Sequence, residues 1–101
     1  MNINLINQQD IVEHYGVSNQ LGIYMEECAE LIQAVSKVNR EFNTGVKISN
    51  EAYSNLVEEI ADVIVCIDQL QFIFDISDEA IIYNANNKIK RQKWRVSDDV
   101  Q

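Results

Sequence analysis

The sequence predicts an all-α fold, and three of its features carry that prediction. There is no proline and there are only three glycines among 101 residues, so little interrupts a helix. Two long segments repeat apolar residues at alternating steps of three and four, the period of an amphipathic helix. Gly, Asn and Ser residues punctuate the chain where periodic stretches begin and end.

The elements follow in order within one domain spanning 1–101, since a chain of this length builds one core and not two. An N-terminal helix is predicted from about Asn4 to Tyr15, capped by Gly16, in a segment covering 1–16. A second helix runs over 18–42 with Ser18 as N-cap. Its apolar seam is Leu21, Tyr24, Cys28, Leu31, Val35, Val38 and Phe42. A third helix covers 49–74 with the seam Tyr53, Leu56, Ile60, Val63, Ile67, Leu70 and Phe74. The turn residues Asn43, Thr44 and Gly45 fold these two into an antiparallel hairpin. A basic C-terminal helix covers 77–95, opened by Ser77 with Asp78 and Glu79 at its positive end. A polar tail, 96–101, follows.

Charge narrows the function classes. Sixteen acidic residues against eight basic ones give a formal net charge of −8, which argues against a nucleic-acid polymer as partner. A single nucleotide remains compatible, because metal ions and a few cations can neutralise it. Five of the eight basic residues (Lys88, Lys90, Arg91, Lys93 and Arg95) crowd into the last helix. Cys28 and Cys66 lie in apolar helical patterns and read as buried, reduced core thiols. There is no secretory signal pattern and no apolar stretch of membrane-spanning length, so a cytoplasmic location without membrane attachment is expected. The third helix is apolar on several faces. In so short a chain that implies burial against a second copy, as a homodimer or higher homo-oligomer.

The chemistry lies in four carboxylates. Glu27 and Glu30 are three apart on the second helix, and Glu59 and Asp62 are three apart on the third. Each pair shares one helix face, and all four flank their seams on the same rotational side. Residues level across a symmetric hairpin have numbers that sum to a constant. Both 27 + 62 and 30 + 59 equal 89, which centres the turn between Thr44 and Gly45. Glu27 is therefore expected to face Asp62, and Glu30 to face Glu59. Four clustered carboxylates repel one another unless a cation intervenes. Oxygen ligands without Cys or His select a hard ion, Mg²⁺ first with Mn²⁺ or Ca²⁺ as substitutes. An ordinary solvated acidic face is the competing reading, and it accounts poorly for two pairs in matching register. A di-iron bundle needs Glu-x-x-His on two helices, and the only histidine, His14, lies elsewhere.

Glu26-Glu27-x-x-Glu30 followed by Glu58-Glu59-x-x-Asp62 resembles the double motif of the MazG-like all-α nucleoside triphosphate pyrophosphohydrolases, in the compact form found in phage and bacterial genomes. The resemblance spans about Gln20 to Arg95 and implies a four-helix MazG-like bundle around the carboxylate hairpin, completed by dimerisation. It also implies that Glu27, Glu30, Glu59 and Asp62 ligate Mg²⁺. A water would then attack the α-phosphorus of a (deoxy)nucleoside triphosphate, leaving a monophosphate and pyrophosphate. Glu26 and Glu58 are either supporting groups or simply exposed. The family also includes phosphoribosyl-ATP pyrophosphohydrolases, and a non-catalytic helical interaction module of the same fold is a further alternative.

Other candidates depend on how the last helix packs. Asn84, Lys88, Arg91 and Arg95 form a polar stripe beside an apolar one of Ile81, Ile82, Ala85 and Ile89. With the apolar stripe on the hairpin, Lys88 and Arg91 would meet phosphate, Arg91 in bidentate fashion. The competing reading is a basic helix end that complements its own dipole. Lys37 shares the stripe of Glu27 and Glu30 and reads first as an ion-pair partner, second as a phosphate contact. Gln20, two turns before Glu27, is placed to meet a base or sugar. Trp94 and the tyrosines read first as packing residues.

Overall fold

The computed structural model describes residues 3–100, and every regular element among them is a helix. The order is α1 (Gln9–Tyr15), α2 (Val17–Asn43), α3 (Asn50–Phe74) and α4 (Asp78–Val100). No helix among the described residues is long and apolar enough to cross a membrane.

Three helix boundaries differ from the sequence expectation, each for a local reason. α1 begins at Gln9 and not at Asn4: Gln8 is its N-cap, and just before it the Asn7 side chain accepts from the Gln9 N–H at 2.9 Å, a local turn that competes with helix over the preceding residues. Gly16 caps α1 as expected, donating to the Val12 carbonyl at 2.8 Å with φ at 84°. The same glycine is also the N-cap of α2, which starts at Val17, so Ser18 has no capping role. α4 continues through the expected polar tail to Val100, since nothing in Val96-Ser97-Asp98-Asp99 breaks a helix. Gln101, the last residue of that expected tail, lies outside the described residues.

The other two starts agree with the sequence. Ser49 caps α3, its hydroxyl accepting from the Ala52 N–H at 3.1 Å. Ser77 caps α4 in the same way through the Ala80 N–H, also at 3.1 Å. Between α3 and α4 the chain turns at Asp75, whose φ of 53° lies in the left-handed region.

α2 and α3 pair as an antiparallel hairpin. Gln20 near the start of α2 meets Gln69 near the end of α3, and Lys37 near the end of α2 meets Glu51 at the start of α3. The facing residues depart from the predicted seams at alternate positions. Tyr24, Leu31, Val38, Leu56, Val63 and Leu70 do lie in the interface, buried or half-buried. The other seam places go to Glu27, Ala34, Glu59 and Cys66, while Cys28, Val35, Phe42, Tyr53, Ile60, Ile67 and Phe74 are exposed. The apolar arc of each helix is too wide for one partner. The hairpin uses one edge of it and leaves the other as a separate apolar face. Cys28 is accordingly exposed and not a core thiol, whereas Cys66 is buried as expected.

Burial elsewhere is sparse. The buried apolar residues among those described are Val12, Tyr24, Ala34, Ala52 and Cys66, and no large side chain is completely enclosed. α1 packs at the open end of the hairpin against both α2 and α3. α4 touches the hairpin only at its start, where Gln71 Nε2 donates to Asp78 Oδ1 at 2.8 Å and Ile81 and Ile82 line a cavity with Ile64 and Ile67; no Cα of it lies within 8 Å of a Cα in α1, α2 or α3 among the described residues. The radius of gyration is consequently 17.1 Å, against about 13 Å for a compact domain of this length. Trp94, expected to pack, is 69% exposed on the free helix, as is Tyr83.

Candidate metal centre

Glu27 and Glu59 reach the centre of the hairpin because they occupy seam positions, one on each helix. Glu30 and Asp62 follow three residues later, about 60° around their helices, which places them at the edge of the seam. The hairpin dyad turns both edges to the same side. One carboxylate oxygen from each of Glu27, Glu30, Glu59 and Asp62 lies within 4.8 Å of the other three. Glu27 and Glu59 are half-buried, and Glu30 and Asp62 are exposed. The expected register therefore holds, although the expected position of the first two beside the seam does not.

The electrostatics of this cluster are unfavourable in its bare form. Partial burial raises the Glu27 carboxyl above its ordinary value of 4.5, and the neighbouring charges of Glu30 and Asp62 raise it further. Burial likewise raises Glu59, again with Glu30 and Asp62 adding to it. Just inside the site, burial pushes the Cys66 thiol up to about 11, with Glu27, Cys28 and Asp62 contributing. Oε2 of Glu27 and Oε2 of Glu59 are inaccessible to solvent and have no hydrogen-bond partner. Such orphaned acceptors are destabilising unless something satisfies them. A third, Glu41 Oε2, lies toward the closed end of the hairpin.

These residues fit a hard divalent cation. All four donors are carboxylate oxygens, the set that suits magnesium or manganese. Opposite ligands on one magnesium ion are about 4.2 Å apart and adjacent ones about 2.9 Å, so the four oxygens, within 4.8 Å of one another, would draw closer on binding it. The two orphaned oxygens would gain a partner, and the mutual repulsion would be offset.

The remaining candidates are dispersed. Glu26 and Glu58 are exposed and lie off the seam; Glu58 lines a shallow cavity with Lys37, Glu51, Ser54 and Asn55. Lys37 pairs with Glu51 at 3.8 Å, an ion pair as expected, although with an acid of α3 and not one on its own stripe. Gln20 is buried, only 5% exposed, and its amide donates to Gln69 Oε1 at 3.1 Å, so it is committed to the hairpin and not presented to a ligand. Asn84 donates to the Ala80 carbonyl of its own helix at 2.8 Å. Lys88 and Arg91 are exposed on α4. No ion pair joins them to the hairpin among the described residues.

One polar assembly has no counterpart in the sequence reading. Gln69 Oε1 accepts from the Tyr24 hydroxyl at 2.7 Å as well as from Gln20. Gln69 Nε2 donates to Gln8 Oε1 at 2.7 Å, and Gln8 Nε2 donates to Asp68 Oδ2 at 2.7 Å. This chain fastens the segment before α1 to the hairpin seven residues beyond Asp62. The available signal was two glutamines, Gln20 and Gln69, each two turns from the carboxylates and symmetric about the same register.

Comparison with protein-family models, with curated proteins and with solved structures finds no match for this chain.

Proposed function

We propose that this protein is a Mg²⁺-dependent nucleoside triphosphate pyrophosphohydrolase of the MazG-like type. It would convert a (deoxy)nucleoside triphosphate to the monophosphate and pyrophosphate by attack of water on the α-phosphorus. The observation that carries the reading is a four-carboxylate cluster with two buried, unpartnered oxygens, on Glu27 and Glu59. Magnesium bound there supplies charge neutralisation for the triphosphate and lowers the pKa of the attacking water. Manganese has the same ligand preference and serves as a substitute.

The residues divide by position. Glu27 and Glu59 are held by the hairpin seam and give the site a fixed floor. Glu30 and Asp62 stand at its open edge, where they orient the water and the phosphate oxygens. A homodimer belongs to the reading, supported by the sparse core and by the width of the exposed apolar face.

The test is a panel of canonical and modified triphosphates, with phosphoribosyl-ATP included, assayed for pyrophosphate release with and without Mg²⁺. Glu30→Gln and Asp62→Asn are each expected to lower release by more than about 100-fold. Undiminished turnover by those variants, or no Mg²⁺-dependent release from any substrate, overturns the proposal. A non-catalytic helical module would instead show no Mg²⁺-dependent thermal shift and no nucleotide binding.

A further inference from the structure

The carboxylate cluster lies between two fasteners of the hairpin. Toward the closed end, residues 44–49 join α2 to α3 covalently. The Lys37–Glu51 ion pair there is solvent-exposed and adds little. Toward the open end, Gln20 and Gln69 face each other, each 5% exposed, and Gln20 Nε2 donates to Gln69 Oε1 at 3.1 Å. Gln20 precedes Glu27 by seven residues, and Gln69 follows Asp62 by seven. Each amide is therefore about 10 Å along its helix from a carboxylate and within about 20° of the same stripe. The amide pair and the acid pair are neighbouring layers of one hairpin.

The two layers act in opposite directions. Glu27, Glu30, Glu59 and Asp62 bring acidic oxygens within 4.8 Å of one another, and without a cation their repulsion drives the helices apart. The apolar residues of the seam resist this weakly. Leu31, Val38, Leu56, Val63 and Leu70 are only half-buried, and hydrophobic contact is non-directional, so it tolerates a small shift or splay. The amide pair does not tolerate it. A small shift leaves enclosed amides without partners, which costs more than one hydrogen bond contributes. A buried polar residue in a helical seam is a known means of fixing register. Gln69 also accepts from Tyr24, one turn before Glu27, and donates to Gln8, so the segment before α1 reinforces the pair.

We infer that Gln20 and Gln69 are positioning residues of the carboxylate site. They hold α2 and α3 at the register and spacing where the four acids converge, against the repulsion of those acids. The site is thereby assembled in advance of its ligand, and binding need not pay for closing the hairpin. The inference rests on the reading above only for the ion; the positioning itself stands on the geometry and the charges.

The full chain carrying Gln20→Leu/Tyr24→Phe/Gln69→Leu tests it, since this variant replaces both sides of the hairpin bonds with apolar groups of similar size. In EDTA near neutral pH, hydrogen exchange read by mass spectrometry should accelerate about 10-fold or more over residues 20–30 and 60–70, and stay unchanged over 37–43. Adding Glu27→Gln/Glu59→Gln should return exchange toward wild type, because it removes the repulsion that the amides oppose. A role confined to local packing predicts an acceleration that neutralising the acids does not change. Mn²⁺ affinity, read by electron paramagnetic resonance, should fall by about 10–100-fold in the triple variant. Unchanged exchange, exchange insensitive to the acids, or Mn²⁺ binding equal to wild type overturns the inference. Gln20→Leu alone leaves Gln69 bonded to Tyr24 and Gln8, and it is read by the same criteria if the triple variant does not fold. Exchange as expected in a wild-type chain that binds no Mn²⁺ upholds the positioning role and counts against the metal reading alone. Equal Mn²⁺ binding by wild type and variant does the reverse.

Discussion

Glu27 and Asp62 face each other across the α2–α3 hairpin, and Oε2 of Glu27 is buried there without a hydrogen-bond partner. The pairing brings like charges together where the hairpin partly excludes water. In the bare protein it opposes folding, and a cation bound there would reverse its sign.

Magnesium should stabilise the fold through these residues. At a free concentration of about 100 times Kd, binding to the native state adds roughly 2.7 kcal/mol. For a domain of this size that raises Tm by about 10 °C or more. Differential scanning fluorimetry with MgCl₂ against EDTA reads the shift. Glu27→Gln/Glu59→Gln should lose it, and an equal shift in that variant would show that the ion binds elsewhere.

The pH dependence of the chelated protein has a definite sign. Folding raises the Glu27 and Glu59 carboxyls, so their protonated forms favour the native state. That contribution is complete below the ordinary carboxylate range and is lost as pH rises through the raised values. In EDTA, Glu27→Gln should therefore melt higher than wild type near neutral pH, and the gap should close as pH falls below about 4.5. A gap that widens on acidification would contradict the direction of the shift.

Gln69 is the hub of the polar chain at the open end of the hairpin. Gln69→Leu removes one hydrogen bond each from Gln20, Tyr24 and Gln8, in a site where Gln20 is almost fully enclosed. A loss of about 2–4 kcal/mol is expected in urea unfolding, from the desolvated groups left behind. Tyr24→Phe removes one hydrogen bond and should cost about 1 kcal/mol. If Gln69→Leu proves the milder of the two, the hub assignment fails.

Asp75 ends α3 in the left-handed region, with φ at 53°. A residue without a side chain adopts that conformation more readily. Asp75→Gly should stabilise the protein by about 0.5–1 kcal/mol. Chemical denaturation at fixed protein concentration measures this, and a destabilised variant would show that the Asp75 side chain contributes more than the backbone strain.

Much of the fold was legible because helices are local. The absence of proline, the serines at 49 and 77 and the glycine at 16 act within one or two turns, so their consequences can be read from neighbouring residues. The register of the hairpin was legible too, since a turn at Thr44-Gly45 and two acidic pairs of equal spacing permit few alignments. The misreadings share one cause. Choosing the most apolar residue at each step put Cys28, Val35 and Ile60 in the seam. A wide apolar arc has two edges, and hydrophobicity alone does not say which edge meets which partner.

The four carboxylates thus owe their grouping to the sequence, through helical spacing and a single turn. Their chemistry depends on tertiary structure. Rotation of the hairpin by one residue position put Glu27 and Glu59 in the seam, where burial leaves two oxygens without partners. The sequence also showed a helix carrying most of the cations of the chain. Only the tertiary structure decided that this helix leaves its own hairpin, because the direction of a helix after a turn is set by long-range packing, and beyond its first turns α4 finds none among the described residues.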